Sequence, residues 1–215
     1  WEELLSDNAY SDAIEKIIEQ LKKDANLVAA AKEITAADMI KSYDGQIPED
    51  LLAECVVEVE RRGWQYGWRS NHDMGFGHWN IVLSDSKIER DEVYHEVAPC
   101  IQRLWDYIQP RFMPTTPTLV RAYANAHTYG VEGYIHRDSK FMEDQTAVIY
   151  YEKDWRPEWG GETVFFDSSE DVIKAVLPRY GRLTVFPAAI PHCGRGVSRI
   201  CPVARRVLVL KGRPK

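Results

Sequence analysis

Two histidines and an aspartate, His136, Asp138 and His192, are the residues whose types and spacing most constrain the chemistry of this chain. His136 and Asp138 are separated by one residue, so on an extended segment both side chains face the same way, while Arg137 between them faces the other. His192 closes a Pro-Ala-Ala-Ile-Pro-His turn that can return it to them from a distant strand. Two imidazoles and one carboxylate can occupy one face of a metal ion and leave the opposite positions open, which is the donor set of non-haem Fe(II) oxygen chemistry. A His-x-Asp pair arises readily in a chain with six histidines, so the surrounding elements must decide.

Those elements change period midway along the chain. Residues 4–33 place Leu4, Ile14, Ile17, Ile18, Leu21 and Val28 at roughly helical spacing. Pro48 suits the start of a second helix, running from Leu51 to about Arg61 and stopped by Gly63. A third is expected over about Asp91 to Ile108, ended by Pro110. After Pro117 come short β-branched and aromatic runs parted by Gly, Pro and Asp: 118–124, 146–151, 162–166, 172–177, 183–186 and 205–210. Segments 64–68 and 78–83 add strands joined by the Gly-rich 71–77 loop. Helices first and strands later predict an α+β chain whose second half is a double-sheet barrel or jelly roll.

Composition is that of a globular protein able to bury a sizeable core, with 45% hydrophobic residues, seven Trp and eleven Tyr in 215 residues. One domain is expected, with no Gly-, Ser- or Pro-rich divider, no internal repeat and no low-complexity tract. The longest apolar runs are far too short for a membrane span, and a soluble, cytoplasmic protein is the expectation; the start at Trp1 rather than Met leaves a leader open. The four cysteines have no Cys-x-x-Cys spacing and are expected as reduced thiols, with Cys193 a buried filler facing away from His192. The net charge of −6 balances an acidic 1–171 against a basic 172–215 that holds ten Lys and Arg and no Asp or Glu. Such a tail can hold an anionic ligand, dock nucleic acid, or simply be a solvated face.

From Val120 to Gly212 the order of landmarks resembles the prolyl 4-hydroxylase-like branch of the 2-oxoglutarate/Fe(II)-dependent dioxygenases. The landmarks are Arg121-Ala-Tyr123, Gly133-Tyr-Ile-His136-Arg-Asp138, Thr146-Ala-Val-Ile-Tyr150-Tyr151, Trp159-Gly-Gly-Glu162-Thr-Val-Phe165, Gly181-Arg-Leu-Thr-Val-Phe186, Pro191-His192 and Arg205. The resemblance implies a distorted double-stranded β-helix (jelly roll) with supporting N-terminal helices. The whole of 1–215 would be one oxygenase domain, with 1–62 as mainly helical support and 117–212 as the catalytic β-helix. It implies His136, Asp138 and His192 as iron ligands, with Fe(II), the cosubstrate 2-oxoglutarate and O₂ as the reacting set and ascorbate as a candidate reductant.

The same resemblance calls for a basic residue on the strand after the second His to pair with the distal carboxylate of 2-oxoglutarate. Arg199, Arg205 and Arg206 compete, and Arg205 is preferred because it shares a strand face with Val207 and Val209 while Arg206 points the other way. Tyr150 and Tyr123 match tyrosines that help hold the cosubstrate, whereas Val207 departs from the Ser or Thr of many relatives. An intact Asp138 disfavours halogenation, because a bound carboxylate fills the position a halide would need. His95 and His127 are expected in surface or core roles; His72 and His78 flank the 71–77 loop, where with Trp68, Arg69 and Trp79 they either meet substrate or form an ordinary aromatic hairpin. The expected activity is hydroxylation of a C–H bond in a prolyl, peptidyl or small amino-acid-like substrate, with succinate and CO₂ as co-products. A nucleobase-directed oxygenase and a non-catalytic metal- or ligand-binding β-barrel are the alternatives; overall acidity speaks against nucleic acid unless the ten cations share one groove. Oligomeric state stays open.

Overall fold

The computed structural model describes residues 19, 22, 23, 36–69, 75–85 and 97–215. The chain divides into two compact units, Trp1–Asp38 and Met39–Lys215, and the second holds the elements discussed here. Most of the helix expected over 4–33, together with His72, His95 and most of the 71–77 loop, lies outside the described residues.

Among the described residues, ten strands form two antiparallel sheets. The larger runs β1 (Lys41–Tyr43), β8 (Leu183–Pro187), β5 (Gln145–Tyr150), β10 (Arg205–Arg213), β4 (Thr118–His127), β3 (His78–Asp85) and β2 (Gln65–Trp68) in that spatial order. The smaller is β7 (Val172–Val176), β6 (Thr163–Phe166) and β9 (His192–Gly194). This is the expected jelly roll behind leading helices. Side chains alternate across each strand, so β4, β5 and β10 send Ala122, Ala124, Ala147, Ile149, Leu208 and Leu210 to one face. There they pack with Leu52, Cys55 and Val59 of α1 (Glu49–Arg61) and Ile101, Leu104, Trp105 and Ile108 of α2 (Pro99–Phe112). The opposite face of the same strands, with Tyr123, Val148, Tyr150, Val207 and Val209, meets Phe165, Val176 and Phe186 between the two sheets.

Several boundaries differ from expectation for identifiable reasons. The third helix starts at Pro99, a residue suited to the first helical position, and 97–98 are not helical. Pro110 does not end it: the proline forgoes one backbone bond near the C-terminus, and the helix continues to Phe112, whose ring packs on Tyr43 with centroids 4.7 Å apart. Arg111 Nη1 donates to Tyr107 O at 2.8 Å and Gln109 Nε2 to Met113 O at 3.0 Å, adding side-chain bonds around the last turn. Strand β4 runs three residues past its expected end at Ala124, because pairing to β10 and β3 on both sides outweighs the weak strand preference of Asn125 and Ala126. The short strands β1 and β9 were not foreseen. All four cysteines are free; Cys193 is buried with Val164 and Phe166, and burial pushes its thiol up, as suits an inert filler.

Candidate active site

The segment carrying His136 and Asp138 is stitched to the chain around His192 by main-chain bonds. His136 and His192 exchange N–H to O bonds at 3.0 Å in both directions, Gly133 N–H donates to Gly194 O at 2.8 Å, and Asp138 N–H donates to Ala188 O at 2.9 Å. The backbone therefore brings the two histidines side by side, with ring centroids 4.5 Å apart. His136 Nδ1 lies 2.7 Å from Tyr134 O and His192 Nδ1 lies 2.9 Å from Ile190 O, so each Nδ1 is engaged as a donor and each Nε2 is left as the free lone pair. Both Nε2 atoms face the Asp138 carboxylate at 3.5 Å, one to each oxygen. One donor atom from each residue falls within 4.8 Å of the others. Neutral imidazoles fixed through Nδ1 and a buried carboxylate are the donor set that a divalent metal requires, and the three residues fit one.

Electrostatics favour that form at Asp138 and His192. The Asp138 side chain is only 2% exposed. Burial works against its charge, yet the Lys211 ammonium and the neighbouring imidazoles hold its carboxyl well below the usual carboxylate range. Burial pushes His192 down to about 4, against the attraction of Asp138, so its ring is neutral at ordinary pH. Arg137 is exposed and turns away, donating from Nη1 to Ala189 O, as the alternation predicts.

Arg205, buried to 3% exposure, lines the same pocket from the first residue of β10. Its Nε donates to Gly161 O at 2.5 Å and its Nη2 to Thr163 Oγ1 at 2.7 Å. Tyr150 completes this end: its hydroxyl is 2.6 Å from Thr163 Oγ1, and the guanidinium carbon lies 5.4 Å from its ring centroid. The Gly160-Gly161 turn explains the close approach. At Gly161, with φ +76°, a Cβ would sit 3.2 Å from Arg205 Cδ and 3.0 Å from Trp155 Cζ2, so a side chain there would crowd the arginine. Arg206 leaves the pocket on the other face and pairs with Glu152 and Glu60, and Arg199 is exposed outside any strand. Of the three arginines, the structure places only Arg205 beside the triad.

Tyr123 also lines the pocket, between two cations: Lys211 Nζ is 5.3 Å and Arg121 Cζ 4.8 Å from its ring centroid. Two polar residues at the site, His127 in the pocket lining and Lys211 against Asp138, were missed in the sequence. His127, expected in a surface or core role, lines the pocket opposite Arg205 across the β4–β10 ladder and packs edge-to-face on buried His78, with centroids 5.0 Å apart. Gly194 makes room for it, since a Cβ there would come within 2.8 Å of His127 Cε1. Burial and then Arg205 keep His127 neutral, and burial pushes His78 down to about 4. Lys211, read only as part of the basic tail, places Nζ 2.7 Å from Asp138 Oδ1. Its parity with Arg205 on β10 was the available signal. On the hairpin, Trp68 stacks with Arg121 and Trp79 meets Tyr66 edge-on at 5.2 Å.

The cations of 172–215 do not gather in one groove. Arg179 and Arg182 pair with Asp44, Arg195 with Glu132, Arg206 with Glu60 and Glu152, and Arg213 with Asp144. Among the described residues no helix is long and apolar enough to cross a membrane.

Residues 123–210 match the family model of the 2OG-Fe(II) oxygenase superfamily. The fold is similar to a Pseudomonas putida prolyl-4-hydroxylase, with a TM-score of 0.58 and 17% identity over 84% of this chain and 98% of that one. It is similar to a Trichoplax adhaerens prolyl hydroxylase in complex with a hypoxia inducible factor peptide fragment, with a TM-score of 0.56 and 12% identity over 91% and 92% of the two chains. It also resembles HygX from Streptomyces hygroscopicus with nickel, 2-oxoglutarate and hygromycin B bound, at a TM-score of 0.58 and 12% identity over 86% and 87%. No curated protein matches the chain at significance.

Proposed function

We propose that this chain, a member of the 2OG-Fe(II) oxygenase superfamily, hydroxylates a C–H bond of a prolyl, peptidyl or small amino-acid-like substrate. His136, Asp138 and His192 would hold Fe(II) through two Nε2 atoms and one carboxylate oxygen. Fe(II) with 2-oxoglutarate and O₂ supplies the oxidising chemistry, with succinate and CO₂ as co-products. Arg205 holds the distal carboxylate of the cosubstrate, because a guanidinium buried in the pocket wall matches a carboxylate in charge and fork geometry. Tyr150 orients that guanidinium through Thr163, and Tyr123, which lines the same pocket, would help to hold the cosubstrate. Val148, Val207 and Val209 line the pocket between the two ends and keep water from the reacting atoms.

The observation that carries this reading is the placement of a complete metal donor set and a buried arginine in one pocket. The peptide bound to the Trichoplax protein, which shares this fold, supports a peptidyl substrate. Dispersal of the C-terminal cations into separate ion pairs speaks against a nucleobase in a polynucleotide. The test is incubation of the Fe(II)-loaded protein with 2-oxoglutarate, O₂ and pools of proline-containing peptides, free amino acids and single-stranded oligonucleotides, read by mass spectrometry. Gain of one oxygen on a peptide or amino acid is expected; oxidation of the oligonucleotides alone would overturn the substrate class.

A further inference from the structure

We propose that Lys211 is a positioning residue of the metal site, holding one oxygen of Asp138 while Thr146 holds the other. The inference rests on the reading that His136, Asp138 and His192 bind a divalent metal. Lys211 and Thr146 are directly opposed in the β10–β5 ladder, so the sheet itself fixes their spacing beneath the carboxylate. Lys211 Nζ lies 2.7 Å from Asp138 Oδ1, and Thr146 Oγ1 donates to Oδ2 at 2.7 Å. The lysine side chain is only 15% exposed, and the Tyr123 ring lies 5.3 Å from its ammonium. A buried lysine is stable only when its charge is matched. Its match here is the acidic metal ligand itself.

The arrangement fixes the carboxylate from three directions. The backbone N–H of Asp138 is tied to Ala188 O, and each carboxylate oxygen has its own donor. Rotation of the carboxylate therefore breaks two polar contacts in a buried site, and the oxygens stay aimed at the two Nε2 atoms. The ammonium also offsets the aspartate charge before any cation arrives, so the donor set is preformed. Partners that orient ligands in this way usually govern metal affinity along with the ligands themselves.

Co(II) titration of the metal-free protein tests this, with affinity and the visible absorption band of the bound ion as readouts and thermal melts to verify folding. Lys211→Met is expected to weaken Co(II) binding about 10–100-fold and to alter the band, with Lys211→Arg restoring most of both. Thr146→Val, which removes the other donor without changing charge, is expected to alter the band in a protein that keeps its fold. Lys211→Gln serves if the methionine variant does not fold, and should fall between wild type and the expected methionine value. Wild-type affinity and an unchanged band in Lys211→Met, or in Lys211→Gln where that variant replaces it, would overturn the inference. Failure of the wild-type protein to bind Co(II) would overturn the metal assignment itself, and the inference with it.

Discussion

Strands β4, β5 and β10 carry two different surfaces one residue apart. Even-numbered positions of β10 place Leu208 and Leu210 under α1 and α2, in a face that is apolar on both sides. Odd-numbered positions place Arg205, Val207, Val209 and Lys211 toward the triad. On β4 the same alternation sends Ala122 and Ala124 to the helices and Tyr123, Asn125 and His127 to the pocket; on β5 it parts Ala147 and Ile149 from Thr146 and Val148. One face contributes stability through area removed from water, and the other holds charge that such area alone could not support. The lesson is that the pocket's charges are affordable because the helix-covered face anchors the same strands.

Removing chemistry from one face should leave the other intact. Asp138→Ala, the largest expected effect, deletes the proposed carboxylate ligand and leaves the Lys211 ammonium without its partner. Divalent-metal affinity should fall by more than the roughly 10–100-fold that loss of an outer partner costs, as measured by Co(II) or Mn(II) titration. Leu208→Ala on the opposite face of β10 should do the reverse. It should cost about 2–5 kcal/mol in denaturant unfolding while metal affinity, measured well below the transition, holds.

The adjacent arginines sharpen the same contrast at the scale of one residue. Arg205→Met should weaken 2-oxoglutarate binding by about 1.5–3 kcal/mol, the range for hydrogen bonds to charged groups, read by calorimetric titration of the Mn(II)-loaded protein. Arg206→Met should leave that affinity unchanged and cost at most about 1 kcal/mol of stability, since its pairs with Glu60 and Glu152 lie partly in solvent.

The smallest effect lies at Asp44, just past the edge strand β1. Arg182 above all, and then Arg179, hold its carboxyl below the ordinary range. A depressed folded-state value means that the stabilisation is present above the ordinary carboxyl value of about 3.9 and is lost as pH falls through the lower folded value. Because the pair is substantially exposed, Asp44→Asn should lower stability by under about 1 kcal/mol at neutral pH, and the difference from wild type should vanish in acid. Urea unfolding at several pH values below 7 measures it.

How much of this was legible beforehand follows the same division. That His136, Asp138 and His192 would come together could be anticipated from the ordered landmarks and strong β-branched strands around them, and the place of Arg205 at the start of the last strand, together with alternation, set it apart from Arg206. Tyr150 and Tyr123 fell where their strands placed them. His127 escaped because Ala124-Asn125-Ala126 carries little strand preference, and only pairing on both sides extends β4 to reach it. Lys211 escaped because a lysine in a basic tail ordinarily reads as solvated, and its partner lies 73 positions away on another segment. Pro110 misled for a local reason, since its missing N–H matters little so close to a helix end.

On the proposed function, the inner face of these strands is an iron- and 2-oxoglutarate-dependent centre. The most direct measurement is 2-oxoglutarate turnover, read as succinate released under O₂ by wild type and by Asp138→Ala, each with Fe(II) and a mixed pool of peptides and amino acids. Succinate that requires Fe(II) and disappears in Asp138→Ala is the expected result. Wild-type protein that releases none, or a variant that releases as much as wild type, would contradict the account.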